Sequence, residues 1–172
     1  MLISKENINL IKNSKEPRLC NDLLFNGIIS KLEKIDFSRL NNEESKWVSS
    51  NQQGGIGNEY EIVLKAKNDF CIPITFLLWE FTGNIYIGKQ EYHFADDATV
   101  RNEKEYQEYF KYLHYLFDYN IKETIFYRKN KVVGYDYEFI NNGNTVHRIA
   151  HNKLFKLFYD EKIINQYNSW IE

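Results

Sequence analysis

Four histidines, His93, His114, His147 and His151, are the side chains best suited to proton transfer or metal binding near neutral pH. His147 and His151 stand four apart in HRIAH, the spacing at which a helix shows both imidazoles on one face, as in the zinc motif HExxH. Arg148 occupies the place where that motif carries its general-base glutamate, and its charge would repel a cation. The flanking pattern also puts the pair at a strand end, outside any helix. No cofactor or metal is therefore expected, the His147–His151 pair being the alternative. His114 lies off the apolar face of its helix and reads as a surface or tyrosine-bonded imidazole. Asp96 and Asp97, near Glu91 and Arg101, could hold Mg²⁺ or share a proton, but the acidic partners and phosphate clamp of a phosphoryl-transfer site are missing. Gly54, Gly55 and Gly57 form a GGIG cluster with no GK[ST] after it and no strand directly before it, which reads as a loop. No serine lies in a GxSxG elbow, and Cys20 and Cys71 are far apart and outside any CxxC, as reduced structural cysteines are.

The other chemistry-bearing residues are aromatic. The chain has 13 Tyr and 12 Phe among 172 residues. Tyrosine joins an apolar ring to a polar tip and serves core edges and binding surfaces alike. Tyr112, Tyr115 and Tyr119 form a stripe at helical spacing, and Tyr135, Asp136, Tyr137 and Glu138 an acidic-aromatic run. Arg128, Lys129 and Lys131 make a basic hairpin tip able to touch phosphate or an acidic partner. These ten are the candidate partner-binding residues. For each tyrosine, completing the core is the competing reading.

The element that must position them is Glu103–Tyr119. Tyr106, Tyr109, Phe110, Leu113, Leu116 and Phe117 recur with the helical period and give it one continuous apolar face. Upstream, a helix is predicted from Asn21 or Asp22 to about Ile35, then a polar loop over Asn41–Asn58 with Trp47 and Val48 tacking it down. Glu59–Ala66 alternates as a half-buried strand. Phe70–Phe81 is apolar on both faces and reads as the central strand, with Pro73 near its start. Thr82-Gly83-Asn84 turns the chain into a return strand, Ile85–Phe94. After the central helix, Lys122–Arg128 and Lys131–Ile140 form a hairpin about Lys129-Asn130, and Thr145–Ala150 a last short strand. Asn152–Trp170 reads as one or two C-terminal helices.

Hairpin-length links force antiparallel pairing. The expected fold is α+β: a single antiparallel sheet of five to six strands with helices packed mainly on one face. The length fits one globular domain, residues 1–172. Within it 1–58 is helical and loop, 59–150 the sheet with its central helix 103–119, and 151–172 helical.

A net charge of −2 provides no field for gathering nucleic acid, and the aromatics between the lysines follow strand alternation. No stretch nears the roughly 18 apolar residues of a membrane span. The N-terminus lacks the apolar core of a signal peptide, so a cytoplasmic location is expected.

The strands YEIVL and CIPITFLLWEF, the Tyr-rich helix and the hairpin ETIFYRKNKVVGYDYEF together make a layout, from about Asn58 to Trp170, that resembles small bacterial immunity proteins of polymorphic toxin systems. Abundant Lys, Asn, Ile and Tyr with scarce Ala and Pro match AT-rich bacterial or phage coding. The resemblance implies a non-catalytic, cytosolic protein that neutralises a cognate toxin by one-to-one binding over its active site. A phage inhibitor of a host defence protein shares that physics. The alternative of another class is an enzyme or small-ligand binder with a Tyr- and His-lined pocket, using His93 or His114 as acid–base groups.

Overall fold

The computed structural model describes residues 1–13, 22–50, 59–78, 83–88, 92–95, 103–151 and 158–171. Helix α1 (Ile8–Asn13) is followed by α2 (Asp22–Leu32), whose Leu24, Phe25, Ile28, Ile29 and Leu32 are all buried. The stretch expected as loop forms a strand instead, β1 (Lys46–Ser50). Alternation explains it: Trp47 is buried and Val48 exposed. Strands β2 (Glu59–Leu64) and β3 (Ile74–Leu78) follow as the patterning predicts, with Tyr60, Ile62, Leu64, Ile74, Phe76 and Leu78 on the core face. The single return strand is corrected to two, β4 (Gly83–Ile87) and β5 (Tyr92–Ala95), because Gly88 turns the chain at φ +77°. Helix α3 (Glu103–Asp118) comes next, then β6 (Asn120–Arg128), β7 (Lys131–Asn141), β8 (Asn144–His151) and β9 (Glu161–Tyr167). The proposed C-terminal helix over 161–167 is thus a strand.

The fold is α+β with antiparallel strands, but the expected single sheet is two: five strands in the order β1-β2-β3-β4-β5 and four in the order β8-β7-β6-β9. The reason lies in β6. It pairs with β7 on one edge and β9 on the other, so β6 itself, the first strand after α3, has no edge with which to join the first sheet.

Helix α3 bridges the two sheets. Its Phe117 stacks on Phe76 of the first at 6.2 Å between centroids, and its Tyr115 lies 5.6 Å from Phe139 of the second. Tyr109, Leu113, Leu116 and Phe117 are buried, as the periodicity requires, and Phe110 is half-buried. The C-terminal segment closes the junction. The Trp170 indole N–H donates to the Ile72 carbonyl at 3.0 Å, and its backbone N–H to the Phe117 carbonyl at 2.9 Å. One buried cluster runs through both sheets, from Ile3 to Trp170. Among the described residues no helix is long and apolar enough to cross a membrane.

Candidate docking site

The helical repeat places Tyr112, Tyr115 and Tyr119 along the side of α3 that meets β7 and β8. Tyr115 is the centre of the group. It stacks on His147 of β8 at 4.6 Å with 14° between planes, and lies 6.4 Å from Tyr112 and 5.8 Å from Tyr119. Tyr112 in turn lies 6.1 Å from His147. All four rings are half-buried, with one side in packing and one in solvent. Lys111, Tyr112, Tyr115 and His147 line an open cleft of about 380 Å³. Burial lowers the His147 pKa from the ordinary 6.5, so the imidazole is neutral at pH 7.

A chain of polar contacts holds the helix end of this surface in place. Lys31 of α2, only 5 % exposed, reaches both carboxylate oxygens of Asp118 at 2.8 Å. Asp118 also binds Nδ1 of His114, one helical turn back, and the Nε2 of that ring meets the Tyr119 hydroxyl at 3.1 Å. Of the two expectations for His114, surface or tyrosine-bonded, the geometry has both, since the ring meets Tyr119 and remains partly exposed. Both ring nitrogens are engaged, which orients the Tyr119 ring against Tyr115.

The other candidate residues are not brought to this surface. Tyr137 is fully buried, with its hydroxyl donating to Glu123 at 3.1 Å, and therefore cannot meet a partner. Asp136 is 4 % exposed and forms a two-pronged ion pair with Arg148, so its carboxylate is already committed. Glu138 pairs with Lys122 at 3.0 Å, and Tyr135 is half-buried against the core. Burial thus takes Tyr137 and Asp136 out of the candidate docking residues, while Tyr135 and Glu138 stand half-buried on an inner strand. Arg128, Lys129 and Lys131 are exposed at the β6–β7 turn, where the Lys129 N–H donates to Asp160 at 2.8 Å. That tip lies roughly 25 Å along the strand from Phe139 and the aromatic cleft.

His147 and His151 both lie on β8, in extended backbone. Four residues of strand separate them by roughly 13 Å, too far to share one ion. Among the described residues no group of three metal-binding side chains exists. The Cys71 thiol is buried, donates to the Ser169 carbonyl at 3.3 Å, and has its pKa pushed up to about 11 by burial, which makes it a poor nucleophile. Cys20, the GGIG cluster, the Asp96-Asp97 pair with Glu91 and Arg101, and the side chain of His93 lie outside the described residues.

Sequence reasoning missed one polar cluster altogether. Glu123 of β6 is 0 % exposed, and its carboxylate receives Tyr137 at 3.1 Å, Tyr167 at 2.9 Å and Asn165 at 2.9 Å. Burial, and then the Glu123 charge, push both tyrosine pKa values well up, so the two hydroxyls remain donors. No local signal marked it, because two of the donors, Asn165 and Tyr167, lie in the stretch Asn152–Trp170 that reads as helical. A second groove, of about 420 Å³, crosses the outer face of the first sheet. Its charges are paired with one another, Lys46 with Glu61 and Lys65 with Glu44.

Comparison of the chain with protein-family models, with curated proteins and with solved structures finds no match.

Proposed function

We propose that this protein is a non-catalytic binding module, a cytosolic inhibitor that neutralises a cognate toxin by one-to-one contact through the α3–β8 aromatic surface. The observation that carries the reading is the cluster of Tyr112, Tyr115, Tyr119 and His147, half-buried, mutually packed and open on one side. Rings held in this way bury large area on association with little further loss of rotamer freedom, the property of interface hot spots. A shallow open cleft suits a protein surface better than a small substrate, which is commonly enclosed on most sides. A phage inhibitor of a host defence protein would use the same surface, and the identity of the partner separates the two.

The enzyme alternative has one observation in its favour, the Tyr119–His114–Asp118 chain. Engagement of both imidazole nitrogens within the fold supports a positioning role for His114. The test is affinity capture of the tagged protein in its host, with the captured partner identified and titrated. A stoichiometric partner whose affinity falls at least about tenfold, a loss near 1.4 kcal/mol, in Tyr112→Ala and Tyr115→Ala is the expected result. Circular dichroism should show both variants folded. A partner that binds both variants as tightly as the parent removes the surface, and absence of any partner when candidate toxins are co-expressed removes the function.

A further inference from the structure

The sequence holds two Asn-Gly dipeptides, Asn26-Gly27 and Asn142-Gly143. Such a dipeptide can react with itself. The glycine nitrogen, with no side chain beside it to hinder approach, attacks the asparagine side-chain carbonyl and closes a five-membered imide. The fold treats the two copies differently. Gly27 is buried inside α2, where its N–H belongs to the helix ladder and the backbone is held in place. Asn142 and Gly143 are both exposed, and they form the two-residue turn between β7 and β8 with φ +48° and +79°.

In a turn of this kind the bond across the loop joins the flanking residues, here Asn141 and Asn144, and the Gly143 N–H stands outside it. A Cβ placed on Gly143 would meet nothing within 4 Å, so the space around it is open. The Asn144 Nδ2 donates to the Asn142 carbonyl at 3.4 Å, a contact with the Asn142 backbone that leaves its side-chain amide out. Ring closure requires Asn142 to leave its left-handed conformation, and the tip is weakly held. Only two pairs, Ile140 with Thr145 and Asn141 with Asn144, join the strands beyond the register slip at Phe139/Ile140. Val146 stands out of step at that slip and is 44 % exposed. A tip on so short a ladder opens before the rest of its sheet.

We propose that Asn142 is a site of spontaneous modification, converted to aspartate and isoaspartate, and that the change loosens β8. In the first step the Gly143 nitrogen bonds to Asn142 Cγ and the bond from Cγ to the side-chain nitrogen breaks. That nitrogen leaves as ammonia with the Gly143 proton. In the second step one water opens the imide. Opening at Cγ gives aspartate on an unchanged backbone. Opening at the backbone carbonyl gives isoaspartate, whose main chain runs through Cβ and is one carbon longer. Either product adds a carboxylate to the turn, and the longer chain does not fit a two-residue turn that fixes both central residues. His147 follows a few residues on, so the slack reaches the strand that supplies a wall of the aromatic cleft. The inference stands apart from the docking reading, because it concerns covalent ageing of the chain and needs no partner.

The test incubates the whole protein at body temperature and mildly alkaline pH, folded and in urea. Each asparagine is followed by peptide mapping with mass spectrometry, with aspartate and isoaspartate separated by chromatography. The expected result in the folded protein is ammonia release and conversion at Asn142 at least about tenfold faster than at Asn26, with similar rates for the two in urea. Conversion at Asn26 as fast as at Asn142 in the folded state overturns the proposal. So does an Asn142 that stays intact while a free peptide of Ile140–Val146 reacts fully, since the folded turn then withholds the amide. Amide hydrogen exchange is the second readout. Thr145 and Val146 are expected to exchange several-fold faster in aged protein than in fresh. No such change is expected in Asn142→Gly, which accepts positive φ and has no side-chain amide. Unchanged exchange in the converted protein overturns the effect on β8. An equal change in aged Asn142→Gly assigns the loosening to another lesion and overturns that effect likewise.

Discussion

Glu123 carries a carboxyl group that bulk solvent does not reach, and three neutral donors surround it instead. Removing the carboxylate leaves two buried tyrosine hydroxyls and the half-buried Asn165 amide without their acceptor. Glu123→Ala is therefore expected to lower the unfolding free energy by about 3 kcal/mol, measured by urea denaturation, with Glu123→Gln losing less because its carbonyl still accepts. His147 provides a second check at this scale. Its folded pKa lies below the ordinary 6.5, so between the two values the fold holds it neutral while the unfolded chain binds a proton. The stability it contributes is whole above that ordinary value and is lost as pH falls toward the folded one. A histidine titration by NMR should find the His147 midpoint below 6.5. A midpoint at or above that value would show the ring to be solvated and the Tyr115 stack open.

At the scale of elements, the turn after β4 is a close fit against the Glu123 cluster. A Cβ on Gly88 would stand 2.4 Å from a Glu123 carboxylate oxygen and 3.0 Å from the Tyr137 hydroxyl, on a backbone with φ +77°. Gly88→Ala is expected to cost about 2 kcal/mol or more, since a left-handed backbone and a steric clash act together. The readout is the denaturation midpoint, and a neutral result would mean that the turn does not press on the Glu123 cluster. Most elements follow from local pattern. The apolar faces of α2 and α3 repeat with the helix period and are buried as that period demands, and β2, β3, β6 and β7 alternate or run apolar where they should. β9 does not follow. Ile163, Ile164 and Tyr167 fit one helical face as well as they fit a strand, and the ladder with β6 decided for the strand. Trp47 likewise has too few patterned neighbours to mark β1 until β2 pairs with it.

At the scale of the whole molecule, α3 is the part that both sheets share, and the aromatic surface exists because the helix sits on the edge of the second sheet. The stripe of Tyr112, Tyr115 and Tyr119 is fixed by the helical repeat, which acts within a few residues, and so it was readable from spacing alone. The α+β class and antiparallel pairing were readable for the same reason, since short links leave neighbouring strands no other orientation. Which strands share a sheet was not readable, because β6 meets β9 across a long interval and no local signal records that ladder. The burial of Tyr137 and Asp136 was hidden for a different reason, since each depends on a side chain of a neighbouring strand: the Tyr137 hydroxyl meets Glu123 of β6 on one face of β7, and on the other Arg148 of β8 closes over Asp136. His147 joined the aromatic surface, and Lys31 came to brace it, only when distant segments packed. Local periodicity determined the helices, most of the strands and the tyrosine stripe. Long-range pairing, whose free energy comes from burial that no single segment contains, decided the two sheets, the buried carboxylate and the residues left facing solvent.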